Sequence, residues 1–111
     1  MLKPTNTPWG RPDHVKVLMP GVIEYQTPSH GGVYVASQLI GSMPPALSAI
    51  GDTDWENPGN GGAGLWFEED CATYAIILTW PELFPGVDLA LAEKMLQRCY
   101  PSNYNLWKME R

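Results

Sequence analysis

A chain of 111 residues has room for one domain, and an apolar content of 44% is enough for a core that needs no metal or disulfide. Seven Lys and Arg against twelve Asp and Glu leave a formal charge of −5. Such a surface repels phosphate backbones and anionic membranes, which disfavours direct nucleic-acid binding and membrane-surface roles. It suits a basic protein partner, although plain solubility accounts for the same charge.

Residues 1–13 carry Pro4, Pro8, Gly10 and Pro12 and read as an irregular lead-in pinned by Trp9, ahead of a single domain over 14–111. Val15–Met19, Val22–Tyr25 and Val33–Ala36 read as three strands. Pro20-Gly21 and the longer stretch Thr27–Gly32 join them as an antiparallel meander. Ser37 is placed to cap a short helical turn that Pro44-Pro45 stops, and residues 46–64 read as loop.

A helix is expected over Glu68–Thr79, with Cys71, Tyr74, Ala75 and Leu78 inward and the acidic run Glu68, Glu69, Asp70 in its first turn. Pro81 ends it. Asp88 suits the N-cap of a second helix reaching Tyr100, with Leu89, Ala92, Leu96 and Cys99 inward. Pro101 stops that one, and Ser102 is a candidate cap for a last turn carrying Tyr104 and Trp107. Strands followed by helices predict an α+β fold, a small three-stranded antiparallel sheet with two or three helices on one face.

Met1–Asn6 opens without an apolar run, and nothing approaches the ~18 apolar residues that span a bilayer. A cytoplasmic protein whose Cys71 and Cys99 are buried and reduced is therefore expected.

Motifs of the nucleotide-binding, zinc-protease, calcium-loop and dithiol types are missing, and with only His14 and His30 no metal or cofactor is expected. Two local features remain. In Thr27-Pro28-Ser29-His30-Gly31-Gly32 the histidine is a candidate general base, with Glu68, Glu69 or Asp70 orienting it. Turn chemistry explains the same residues as a hairpin in which Gly31 and Gly32 take positive φ. Cys71 as a nucleophile is opposed by the three carboxylates before it, which raise a thiol pKa. The second feature is Asp52, Asp54, Trp55 and Glu56, an acidic stretch with an aromatic anchor suited to binding a partner.

Val17–Val22, the Thr27–Gly32 motif, Trp66-Phe67-Glu68-Glu69-Asp70-Cys71 and Tyr100-Pro101 together resemble a family of small uncharacterised domains from bacteria, bacteriophages and mobile elements. The resemblance spans about residues 14–104 and implies no catalytic residue, but it does imply a phage or mobile-element setting. The first expectation is accordingly an accessory protein that binds a host protein, such as a basic nucleic-acid-binding defence complex, and inhibits it. The alternative is a small hydrolase or transferase built on His30 and a neighbouring carboxylate.

Overall fold

The structure, a computed structural model, describes residues 5–53 and 64–110. Strands β1 (His14–Met19), β2 (Val22–Gln26) and β3 (Gly31–Val35) form the antiparallel meander. Pro20 and Gly21 make its first turn, and Gly21 takes φ +88°, the positive value that a turn of this kind needs at its second central residue. The register slips between Val17 and Met19, a bulge that twists the outer edge of β1.

A fourth strand, β4 (Leu65–Glu68), pairs antiparallel with β3, so the sheet order is β1-β2-β3-β4. Two short helices follow β3: α1 (Ser37–Ile40) and α2 (Pro45–Ser48). After β4 come α3 (Thr73–Thr79), a 3-10 turn at Pro81–Leu83, α4 (Leu89–Cys99) and α5 (Pro101–Glu110). The fold is α+β, with the helices on one face of the sheet.

Alternation along the strands gives the sheet two different faces. Val22, Val33, Val35, Leu65 and Phe67 point to the helices, where they meet Leu47, Ala75, Ile76, Leu96 and Trp107. Ile23, Tyr25, Tyr34 and Trp66 point the other way, with Trp9 packed on them. Trp9 is held there by a tight turn. Thr7 and Gly10 exchange backbone hydrogen bonds (3.2 and 3.3 Å), and the Thr7 hydroxyl donates to Gly10 O (2.6 Å) and accepts from Trp9 N (3.1 Å).

Several expectations are corrected. The acidic run does not open a helix: Glu68 ends β4, Glu69 and Asp70 form a turn, and α3 starts only at Thr73. Of the stripe expected at Cys71, Tyr74, Ala75 and Leu78 only Ala75 is buried, and the buried residues here are Ala72, Ala75, Ile76 and Ile77. Leu47 is fully buried in α2, within a stretch expected to be loop. Pro44-Pro45 begins that helix instead of merely ending another, because proline at the first helical position loses no hydrogen bond. Pro101 likewise opens the ten-residue α5, where one turn was expected.

Ser37 makes no capping bond; the cap position belongs to Ala36. Asp88 caps α4 as read, its Oδ1 accepting from Ala90 N (3.0 Å) and Leu91 N (3.3 Å). Ala92 and Leu96 are buried in α4, but Leu89 is 42% exposed.

The largest correction concerns the thiols. Cys71 and Cys99 are joined as a disulfide, with their Cα atoms 6.0 Å apart. The bond ties the turn before α3 to the end of α4, and both cysteines are half-buried. The inference of a cytoplasmic location from reduced thiols loses its premise.

Candidate functional site

The most chemically distinctive concavity lies beside β4. Asp52 and Trp66 exchange backbone hydrogen bonds (2.8 and 3.2 Å) across an antiparallel bridge, which puts their side chains on the same face. Glu68 stands two residues along β4 from Trp66 and so shares that face. Opposite Glu68 in the register is Gly32. A Cβ there would overlap the Trp9 ring and the Phe67 carbonyl, so glycine is what lets Trp9 pack this closely against β3.

Trp9 meets Trp66 edge-on at 5.7 Å between ring centroids, and Tyr34 and Tyr25 pack on Trp66 at 4.9 and 5.4 Å. Tyr100, just beyond α4, supplies the far wall. Trp9, Trp66 and Tyr100, with Pro8, Ile50, Asp52, Glu68 and Ala72, line a pocket of about 190 Å³.

Among the described residues the lining of this pocket carries charge of one sign, with two carboxylates, Asp52 and Glu68, and no Lys, Arg or His. Among the described residues Glu68 makes no ion pair; the one present joins Lys108 to Glu93 (3.2 Å), a surface contact on the helical layer. Burial, and then the charge of Glu68, push the Tyr100 hydroxyl above the usual tyrosine value, so Tyr100 stays neutral. Neutral π faces beside two carboxylates attract cations and repel anions.

The His30 motif forms a closed turn between β2 and β3. Thr27 Oγ1 donates to His30 O (2.8 Å) and accepts from His30 N (3.1 Å), and Thr27 N donates to His30 O (2.7 Å). Gly31 and Gly32 belong to β3, and neither takes positive φ, contrary to the hairpin expectation. Glycine at 31 instead makes room for Glu69: an added Cβ would stand 2.8 Å from Glu69 Oε2.

Glu69 N donates to Gly31 O (2.9 Å), so the two motifs do meet. His30, Ser29 and Glu69 line one open depression of about 230 Å³. His30 is exposed there and no hydrogen bond or ion pair joins it to Glu69. Glu69 also borders a pocket of about 200 Å³ with Glu24, Thr73, Ile77 and Phe84.

Of the residues singled out in the sequence, Asp52 and Glu68 come together at the aromatic pocket, and Glu69 and His30 at the open depression. Asp70 is exposed in the turn and lines neither. Asp54, Trp55 and Glu56 lie outside the described residues. Trp9, Trp66 and Tyr100 were not recognised as pocket residues. Reading Leu65-Trp66-Phe67-Glu68 with a period of two would have placed Trp66 and Glu68 side by side.

Among the described residues no three of His, Cys, Asp and Glu gather as a metal site, and no helix is long and apolar enough to cross a membrane. No curated protein and no solved structure matches the chain. Residues 2–111 match the domain of unknown function DUF7007, and the chain belongs to that family.

Proposed function

We propose that the protein is an accessory factor of a bacteriophage or mobile element that binds a basic host protein and so blocks a defence complex. The setting comes from the motif resemblance. The observation that carries the binding reading is the meeting of Asp52 and Glu68 around an aromatic pocket that, among the described residues, no basic side chain lines. Carboxylates on a net −5 surface steer a basic partner into encounter, and aromatic walls hold what arrives. On this reading the protein acts in the host cytoplasm, where reducing thiols would challenge the half-buried Cys71–Cys99 bond.

The enzyme reading has one observation in its favour, the shared depression of His30 and Glu69. A general base needs an orienting partner within hydrogen-bond reach, and these two groups make no such bond here. The binding reading is the stronger.

Its test is kinetic. A host protein captured by the full chain is purified, and its association measured with wild type and with Asp52→Lys/Glu68→Lys. The on-rate should fall by about tenfold or more, and added salt should lower the wild-type rate far more than the variant's. Association indifferent to both salt and charge reversal would overturn the reading and move attention to His30.

A further inference from the structure

The pocket beside β4 has features that select one chemical class of ligand. We propose that it is the seat of a single arginine side chain of the partner. This inference rests on the binding reading and names what the site takes.

Three observations converge on a guanidinium. The register aligns Asp52, Trp66 and Glu68 on one face of the sheet edge, and the half-buried Trp9 packs on the buried Trp66 there, so both carboxylates border an accessible indole. A guanidinium is planar, stacks on indole, and can give its donors to carboxylates on more than one side. A lysine ammonium, compact and strongly hydrated, uses such a flat slot less well.

The second observation is the volume. About 190 Å³ admits one long side chain and not a helix or strand. Ile50 and Ala72 offer apolar surface to its methylene stem, while Trp9 and Tyr100 frame the head group. Finally, Trp9 sits in a turn that Thr7 fastens at both ends and lies in the space left by Gly32, so the aromatic wall is organised before any ligand arrives. Preorganisation of this kind lowers the cost of binding.

The experiment uses the full chain and two capped amino acids, N-acetyl-arginine methylamide and its neutral isostere N-acetyl-citrulline methylamide. Binding is followed by calorimetry and by quenching of tryptophan emission. The arginine probe should saturate with a Kd in the millimolar range and compete with added salt, and the citrulline probe should bind at least about tenfold more weakly. Glu68→Gln, which removes a charge without removing volume, should weaken the arginine probe by about fivefold or more, whereas Glu82→Gln at the distant 3-10 turn should leave it unchanged.

Trp9→Phe keeps a ring and should retain part of the affinity; Trp9→Ala should lose most of it. Melting curves on each variant separate loss of binding from loss of fold. Equal binding of the two probes, or Glu68→Gln folded and binding arginine like wild type, would overturn the proposal. No host protein is needed for this test. A silent pocket with charge-dependent partner association would refute the arginine seat alone, and a working pocket with charge-indifferent association would refute the wider binding reading alone.

Discussion

The two faces of the sheet are stabilised in different ways. On one, aliphatic strand residues and Phe67 are covered by side chains from α2, α3, α4 and α5, so each contact is backed by others. On the other, Tyr25, Tyr34 and Trp66 are covered by Trp9, which one short turn positions. The helical face behaves as a core, with close packing and no ionisable group in its buried cluster. The aromatic face borders carboxylates and ends in a pocket, an arrangement that trades redundancy of packing for a chemically distinctive opening. Stability should therefore be concentrated on the helical face and recognition on the other.

Substitution on the helical face should have the largest effect. Phe67 is fully buried, and Phe67→Ala should cost about 3–5 kcal/mol, read as a lowered denaturant midpoint with similar slope. Trp9→Ala should cost less, about 1–3 kcal/mol, because Trp9 is only half-buried. A Trp9→Ala cost equal to that of Phe67→Ala would erase the distinction between the faces.

The disulfide comes next. It closes a loop of sequence separation 28 between the turn before α3 and the end of α4. Cys71→Ala/Cys99→Ala should lower stability by about 2–4 kcal/mol, and a dithiol reductant should do the same to wild type. Both cysteines adjoin pocket residues, Ala72 and Tyr100, so reduction should also loosen the pocket. Reduction without effect on melting would show that the helical layer holds α3 and α4 together unaided.

Two neighbouring glycines sharpen the comparison further. Gly32→Ala drives a methyl against the Trp9 ring and the Phe67 carbonyl, neither of which can easily yield, and should destabilise by about 1–3 kcal/mol. Gly31→Ala meets first the free end of the Glu69 side chain, at 2.8 Å, then Tyr25 O at 3.1 Å. Glu69 can swing away, so Gly31→Ala should cost less than Gly32→Ala in the same melting experiment.

The smallest effect is the pH response of the aromatic face. Burial raises the pKa of Tyr25 and of Tyr34 above the usual tyrosine value, with Tyr34 adding to the shift at Tyr25. The folded state thus keeps protons that the unfolded chain releases above about pH 10. Stability should be level below that pH and fall as pH rises past it, and Tyr25→Phe should flatten the fall. An alkaline limb unchanged in Tyr25→Phe would place its origin elsewhere.

The meander was legible because its punctuation is local: Pro20-Gly21 and Thr27–His30 mark turns whatever else surrounds them. The cap of α4 at Asp88 was legible for the same reason. The fourth strand was hidden because Leu65–Glu68 is four residues long and its partner β3 lies thirty residues earlier. Only pairing makes it a strand, and without pairing Glu68-Glu69-Asp70 looks like the first turn of a helix. Missing β4 concealed the pocket, since Trp66 and Glu68 share a face in a strand and not in a helix. The disulfide was hidden likewise, because the packing of α3 against α4 brings Cys71 to Cys99 and spacing alone cannot.

The central claim, that the aromatic face is the recognition face, is tested most directly by the indole N–H signals in a proton–nitrogen correlation spectrum. Trp9 and Trp66 line the pocket, whereas Trp80 and Trp107 belong to the helical core and serve as internal controls. Titration with N-acetyl-arginine methylamide should shift Trp9 and Trp66 progressively to saturation and leave Trp80 and Trp107 in place. Shifts at Trp107 or Trp80 with Trp9 and Trp66 unmoved would contradict the account.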